Sequence, residues 1–265
     1  MSNILDKIID TKKQEVANLK LVAPEASLRQ VKFFSRSSLS LKEQLLAKDS
    51  SGIIAEFKQK SPSKGEINFA VKVEEVTRGY ADAGAAGLSV LTDHDYFGGS
   101  IINLVKAREA NPGIPILRKD FMIDSYQITE AKAYGADVIL LIAACLTKEE
   151  IHHLAQYAKE LKLEVLLETH DETELEKISH WVDMVGVNNR NLKTFEVNIE
   201  TSVKLANLIP DEFVKISESG IFSVETINRL KRVGYKGFLM GETFMKTDNP
   251  AQTCSEFIEK LKNQV

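Results

Sequence analysis

The chain has 265 residues, 43% hydrophobic and 27% charged, a composition that supports a globular protein with a real core. A net charge of −4 excludes the basic excess that marks a nucleic-acid-binding surface, and the longest apolar run, Val138 to Leu146, is too short to span a bilayer. Cys145 and Cys254 lie far apart and form no metal or redox motif, and the first residues lack a signal-peptide core, so a soluble cytoplasmic protein with free thiols is expected.

Residues 1–48 are helical in character and precede any strand. Ile4, Ile8 and Ile9, then Val16 and Leu19, recur at helical spacings; Pro24 punctuates the segment, and Leu41, Leu45 and Leu46 suggest a second short helix. The Ser-rich patch around Arg36-Ser37-Ser38 reads as a connection.

From Ile53 a regular rhythm begins. In the run Ile53-Ile54-Ala55-Glu56-Phe57-Lys58, residues two apart share a face, so Ile54, Glu56 and Lys58 point one way and Ala55 and Phe57 the other. Charges inside a strand need each other or a ligand. Ser61-Pro62-Ser63-Lys64-Gly65 then forms a hydroxyl-rich, basic loop. Further strands are expected at 86–91, 114–119, 137–142, 163–169, 183–188, 213–219 and 237–241, with helix-length segments between them, near 71–83 and 100–110 for example. Eight short apolar strands alternating with helices read as parallel βα units. A β/α barrel takes about 250 residues, and no linker follows Ser51, so one domain spanning 1–265 is expected, with an open doubly wound sheet as the rival.

Polar and charged residues collect at the strand ends: Glu56 and Lys58; Lys119-Asp120; Glu168; Asn188 and Arg190; Glu218-Ser219; Gly241-Glu242. Any one of them is explained by the start of a loop. Six strands ending this way fit the single mouth of a barrel, where such enzymes place their active sites. Ser219-Gly220 and Gly241-Glu242, after the seventh and eighth strands, let backbone N–H groups approach a phosphate.

In this order the motifs Ile-Ile-Ala-Glu-Phe-Lys-Gln-Lys-Ser-Pro-Ser, Leu-Ser-Val-Leu-Thr, Tyr-Phe-Gly-Gly-Ser, Ile-Leu-Arg-Lys-Asp-Phe, Val-Gly-Val-Asn-Asn-Arg-Asn-Leu, Ser-Glu-Ser-Gly-Ile and Met-Gly-Glu-Thr-Phe-Met resemble the indole-3-glycerol-phosphate synthase family. The resemblance runs from Ile-Leu-Asp-Lys-Ile-Ile near the start to the end. It implies a (β/α)8 TIM barrel with an N-terminal helical extension, in a monofunctional form. The implied reaction closes the indole ring of 1-(2-carboxyphenylamino)-1-deoxyribulose 5-phosphate, with loss of CO2 and water, in tryptophan biosynthesis. The Ser-rich segment near 36–40 departs from the more basic or Pro-containing connection of many relatives.

By the same resemblance Lys119 is the general acid at the ketone and Glu168 the carboxylate of the dehydration. Lys58 is then a second acid or an electrostatic clamp, Glu56 holds Lys119 or Lys58, and Asn188 hydrogen-bonds the reacting centre. Glu218, Ser219, Gly220, Gly241 and Glu242 are expected on the phosphate, with Ser61 closing over it. Leu117, Phe121, Phe97 and Leu192 would form the apolar slot for the aromatic ring, and Arg190 would meet the substrate carboxylate or serve the fold. No His/Cys/Asp cluster has metal-ligand spacing, and neither metal nor organic cofactor is expected; the partner is a phosphorylated small molecule, and the protein a monomer or weak dimer. The alternatives are a phosphate-binding barrel of the isomerase type, which would show a Cys/Asp pair where Cys145 has no matching Asp, and an inactive barrel used for binding.

Overall fold

The computed structural model describes residues 4–192 and 194–264. Strands β1 (Ile53–Phe57), β2 (Gly87–Leu91), β3 (Ile116–Lys119), β4 (Val138–Ile142), β5 (Glu164–Thr169), β6 (Met184–Asn188), β7 (Val214–Glu218) and β8 (Gly237–Met240) close into a barrel in chain order. Every pairing is parallel, and β8 returns to β1 with Ile54 opposite Leu239. This is the (β/α)8 architecture that the alternation of periods two and 3.6 leads one to expect.

Period-two alternation divides the apolar residues. Ile54, Leu117, Leu140, Leu166, Met184, Ile216 and Leu239 fill the barrel interior, whereas Ile53, Ala55, Phe57, Leu88 and Val165 face the surrounding helices. The helical layer thins after β5, where only Glu172–Leu175 forms a helix before β6, and after β6, where the helix is Glu200–Leu205. Pro24 ends the first unit because it has no N–H to continue the helical ladder and its ring clashes with the preceding turn: Ile4–Val22 stops short of it, and Pro24 stands at the N-cap of the short helix Glu25–Leu28. The loop after β1 is more ordered than its composition suggests, because Lys60–Ser61 and Gly65–Glu66 pair as an antiparallel ribbon. Gly65 permits the reversal with a φ of +70°.

The N-terminal segment reaches both ends of the barrel. Helix Leu41–Leu46 plugs the bottom with Leu41 and Leu45. Two glycines make room for it: a Cβ on Gly87 would lie 2.5 Å from Leu41 Cδ1, and one on Gly237 would lie 3.2 Å from Leu45 Cδ1. Ser40 caps this helix by accepting from the Glu43 amide. The Glu164 carboxylate at the foot of β5 accepts from the Ser40 hydroxyl and from the Leu41 and Lys42 amides, a favourable charge at a helix start.

The Ser-rich connection is equally pinned. Asp137, fully buried at the foot of β4, accepts from the Arg36 and Arg108 guanidiniums and from the Leu39 and Ile116 amides. Lys132 Nζ donates to Arg36 O and to Ser38 Oγ at 2.9 and 2.8 Å. Asp137→Ala leaves Arg108 buried without its carboxylate, so it should cost roughly 3–5 kcal/mol of stability, the range for breaking one partner of a buried pair. Denaturant unfolding checks this; a loss under 1 kcal/mol would mean that the network contributes little.

Among the described residues no helix is long and apolar enough to cross a membrane.

Candidate active site

Above the apolar filling, the last inward residue of several strands is polar. Glu56 on β1, Ser89 on β2, Lys119 on β3, Glu168 on β5, Asn188 on β6 and Glu218 on β7 form one layer, brought to a common height by the stagger of the strands. Lys119 Nζ sits at the centre, 3.0 Å from Glu168 Oε2 and 2.5 Å from Glu218 Oε2. Glu168 Oε1 accepts from Asn188 Nδ2 at 3.0 Å. Lys58, just past the end of β1, lies 3.0 Å from Glu56 Oε1, and Ser89 Oγ donates to Glu56 Oε2 at 3.1 Å. Each lysine therefore makes its direct contacts with different carboxylates, Lys58 with Glu56 and Lys119 with Glu168 and Glu218.

Burial opposes charge on Lys119, but Glu168, Glu218 and Glu56 outweigh it and hold the ammonium well above the ordinary lysine range. Burial likewise works against charge on Glu168, yet Lys119, His170 and Asn188 keep that carboxyl well below its usual range. Glu218 goes the other way. Burial pushes it up to about 7, with Lys119 opposing and the Glu168 charge adding to the rise. Two buried carboxylates around one ammonium share its stabilisation unequally.

This layer floors a cavity that opens at the mouth of the barrel. Its walls include Phe97 and Phe121, with ring centroids 5.9 Å apart, and Leu192; Leu140 and Ile142 on β4 join them. Leu117 does not line it. Being two residues before Lys119 it faces the same way one layer lower, buried in the inner core. Arg190, Ser61, Ser219 and Glu242 also border the cavity.

A second, smaller cavity adjoins on the β7–β8 side, lined by Lys58, Arg190, Ser219, Gly220, Gly241 and Glu242 among others. Lys58 borders both cavities. The backbone here is held open by left-handed conformations, φ +66° at Ser219 and +75° at Gly220. Asn189 secures that turn, donating to Ser217 Oγ and to the Glu218 and Ser219 carbonyls. A Cβ on Gly241 would fall 2.8 Å from Glu56 Oε1, so glycine keeps the two strand ends close. The Glu242 carboxylate turns to Arg190 and Lys64, at 3.4 and 3.7 Å. Glu218, which the sequence places with the phosphate groups, directs its carboxylate to Lys119 instead.

The sequence reading missed one wall altogether. Ile4, Leu5 and Ile8 of the first helix line the larger cavity, so the N-terminal segment covers the mouth as well as plugging the bottom. Its anchor is Lys12, buried on the same helical stripe, with Nζ 3.0 Å from Asp93 Oδ2 and 3.1 Å from Asp120 Oδ1. A lysine in phase with Leu5, Ile8 and Val16 was the available signal. His170, two residues after Glu168, is a second group that the strand-end pattern does not single out. Among the described residues no group of three His, Cys, Asp or Glu side chains is placed to hold a metal ion.

Comparison with known proteins bears on this geometry. The fold resembles solved barrels such as 3-hexulose-6-phosphate synthase from Salmonella typhimurium, with a TM-score of 0.64 at 13% identity over 80% of this chain and 99% of that one; this likeness speaks for the fold alone. An indole-3-glycerol phosphate synthase from Bacteroides thetaiotaomicron is 46% identical over 99% of this chain and all of its own length. One from Burkholderia ambifaria is 42% identical over 95% of this chain and 97% of its own. The family model described as indole-3-glycerol phosphate synthase matches residues 5–257, from the helix over the mouth to the last helix, and the chain belongs to that family.

Proposed function

We propose that the paired cavities catalyse indole ring closure, converting 1-(2-carboxyphenylamino)-1-deoxyribulose 5-phosphate into indole-3-glycerol phosphate, CO2 and water. The observation that carries this reading is Lys119 held between Glu168 and Glu218 in a cavity that shares Lys58 with an adjoining pocket lined by Gly220 and Gly241.

In the first step the ring carbon bearing the carboxylate attacks the ketone, and Lys119 protonates the developing alkoxide. An ammonium held this firmly yields its proton only to a strongly basic oxygen, and an alkoxide is one. The carboxylate then leaves as CO2 and the ring regains aromaticity. In the second step the hydroxyl on the former ketone carbon departs as water, protonated by Lys58, while Glu168 takes a proton from the neighbouring methylene. Separate partners for the two lysines support a division of the acid roles. Asn188 orients Glu168, and Glu56 positions Lys58. Phosphate on the Ser219-Gly220 and Gly241-Glu242 backbone, with Lys58 above it, would fix the substrate's far end; Phe97, Phe121 and Leu192 flank the aromatic ring. Arg190, already engaged with Glu242 and the Phe195 carbonyl, shapes this pocket and is within reach of an anion.

Burial pushes the Cys145 thiol up to about 12, which removes it as a base near neutral pH and weighs against an isomerase. We read the chain as one cytoplasmic domain, residues 1–48 being its extension, acting as a monomer or weak dimer on a phosphorylated small molecule. The direct test is incubation with the carboxyphenylamino-deoxyribulose phosphate, following indole fluorescence and CO2 release. Both should rise in equal amounts; absence of product with folded protein overturns the assignment.

A further inference from the structure

His170 lies two residues beyond Glu168, in the turn that leads from β5 into helix Glu172–Leu175. Its ring is mostly enclosed, with a side-chain exposure of 13%. Each nitrogen faces a carboxylate: Nε2 is 3.4 Å from Glu168 Oε1, and Nδ1 is 3.2 Å from Glu174 Oε2. The backbone fixes this arrangement, because the His170 amide donates to the same Glu174 oxygen at 2.7 Å. A neutral imidazole has one N–H and one lone pair, so it can satisfy only one carboxylate and would present its lone pair to the other. Only the imidazolium presents a proton to both, as a hydrogen bond to Glu174 from Nδ1 and as an ion pair with Glu168 from Nε2, which makes no hydrogen bond of its own.

We propose that His170 is a positioning residue for the reaction, a fixed cation clamped by Glu174 that keeps Glu168 ionised and aimed while Lys119 gives up its proton. The inference rests on the catalytic reading of Glu168 given above. Its logic is electrostatic. Lys119 is the strongest partner of Glu168 in the resting site, yet it is also the proton donor of the first step. Once its proton is transferred, Glu168 faces Glu218 in a buried layer with that counter-charge gone. One of the two carboxyls then tends to take up a proton; the cation beside Glu168 directs that proton to Glu218, whereas without it Glu168 competes for the proton and is lost as the base of the dehydration. His170 supplies that second cation from the side away from the substrate, and Asn188 holds the same oxygen. Burial opposes the charge on the ring, but the two carboxylates prevail and lift the imidazole to about 10. The other groups within influence are the Asp171 carboxylate beside the ring and the Cys145 thiol after β4; burial keeps that thiol neutral near pH 7.

The sign of the effect follows. A cation beside Glu168 lowers its pKa, so removing that cation raises it, and the acidic limb of the pH–rate profile moves to higher pH. His170→Gln should shift that limb upward by about one pH unit or more, the usual effect of one close opposite charge, with kcat reduced and KM little changed. Glu174→Gln, which keeps the acceptor for the His170 amide, should shift the limb the same way by less. A purely structural histidine would lower thermal stability and leave the limb in place.

The charge state is read directly by ¹⁵N-histidine NMR of the wild-type protein, with His170→Gln deleting and so assigning the signal. Both ring nitrogens should carry protons at pH 8, where an imidazole of ordinary pKa, about 6.5, is neutral. A neutral ring at pH 8, or an acidic limb unmoved in both variants, overturns the proposal. If His170→Gln fails to fold, Glu174→Gln and the wild-type spectrum decide. Glu168→Gln separates the two readings: full activity in that variant removes Glu168 from the mechanism, whatever the charge on His170.

Discussion

Lys119→Ala should lower kcat by about 10²–10⁴, the range for removing a positioned general acid, while the protein remains folded. The residue stands above the packed layers, and its loss opens no cavity in the core formed by Leu117, Leu140 and Leu166. What it removes is the counter-charge of Glu168 and Glu218. Glu218, already pushed up to about 7 by burial, can then take a proton and relieve the repulsion. A carboxyl whose folded pKa is raised gives stability at low pH that is lost as pH climbs through that pKa. The variant's deficit in thermal stability against wild type should therefore be larger at pH 8 than at pH 6. Steady-state fluorescence of the indole product measures kcat, and turnover near the wild-type rate would remove Lys119 from the chemistry.

Glu168→Gln separates the two halves of the reaction. The amide keeps the size of the side chain and an oxygen for Asn188, but it cannot accept the methylene proton. CO2 release should continue in a single turnover while indole fluorescence lags, so that a decarboxylated, still hydroxylated intermediate accumulates. Steady-state kcat should fall by about 10²–10⁴. Rapid quench for CO2 beside stopped-flow fluorescence makes the comparison. A variant with raised KM and normal kcat would make Glu168 a binding group instead.

Local pattern carried the barrel. Strand and helix alternate with distinct periods, and the observed strand limits lie within about two residues of those read from apolar runs and Gly/Pro punctuation, a margin usual for element ends. The charged layer was legible for a related reason: in a strand, residues two apart share a face, so Glu56 after Ile54 and Lys119 after Leu117 announce a polar group above an apolar one. The same rule misplaces Leu117 when depth is ignored, since face is a local property and height in the barrel is set by stagger between strands. The pairing of Glu218 with Lys119 joins β7 to β3, 99 residues apart, and nothing local announces it. The helix over the mouth was hidden in the same way, apart from the lysine on its apolar stripe.

The bottom plug has a consequence for how the molecule is made. Leu45 precedes Gly237, the residue it packs beneath, by 192 positions. At roughly 5–20 residues per second a ribosome needs about 10 to 40 s to deliver that partner. Until then the undersides of β2 and β8 do not exist together, and Leu41 and Leu45 have no completed floor to enter. Ser40 waits on Glu164, and Arg36 on Asp137, for shorter spells. The segment before the barrel leaves the ribosome ahead of every strand it packs on and is therefore among the last to find its place. Closing β8 against β1 completes the seat for Leu45 in the same event, so barrel closure and docking of the plug should arrive as one cooperative step late in folding.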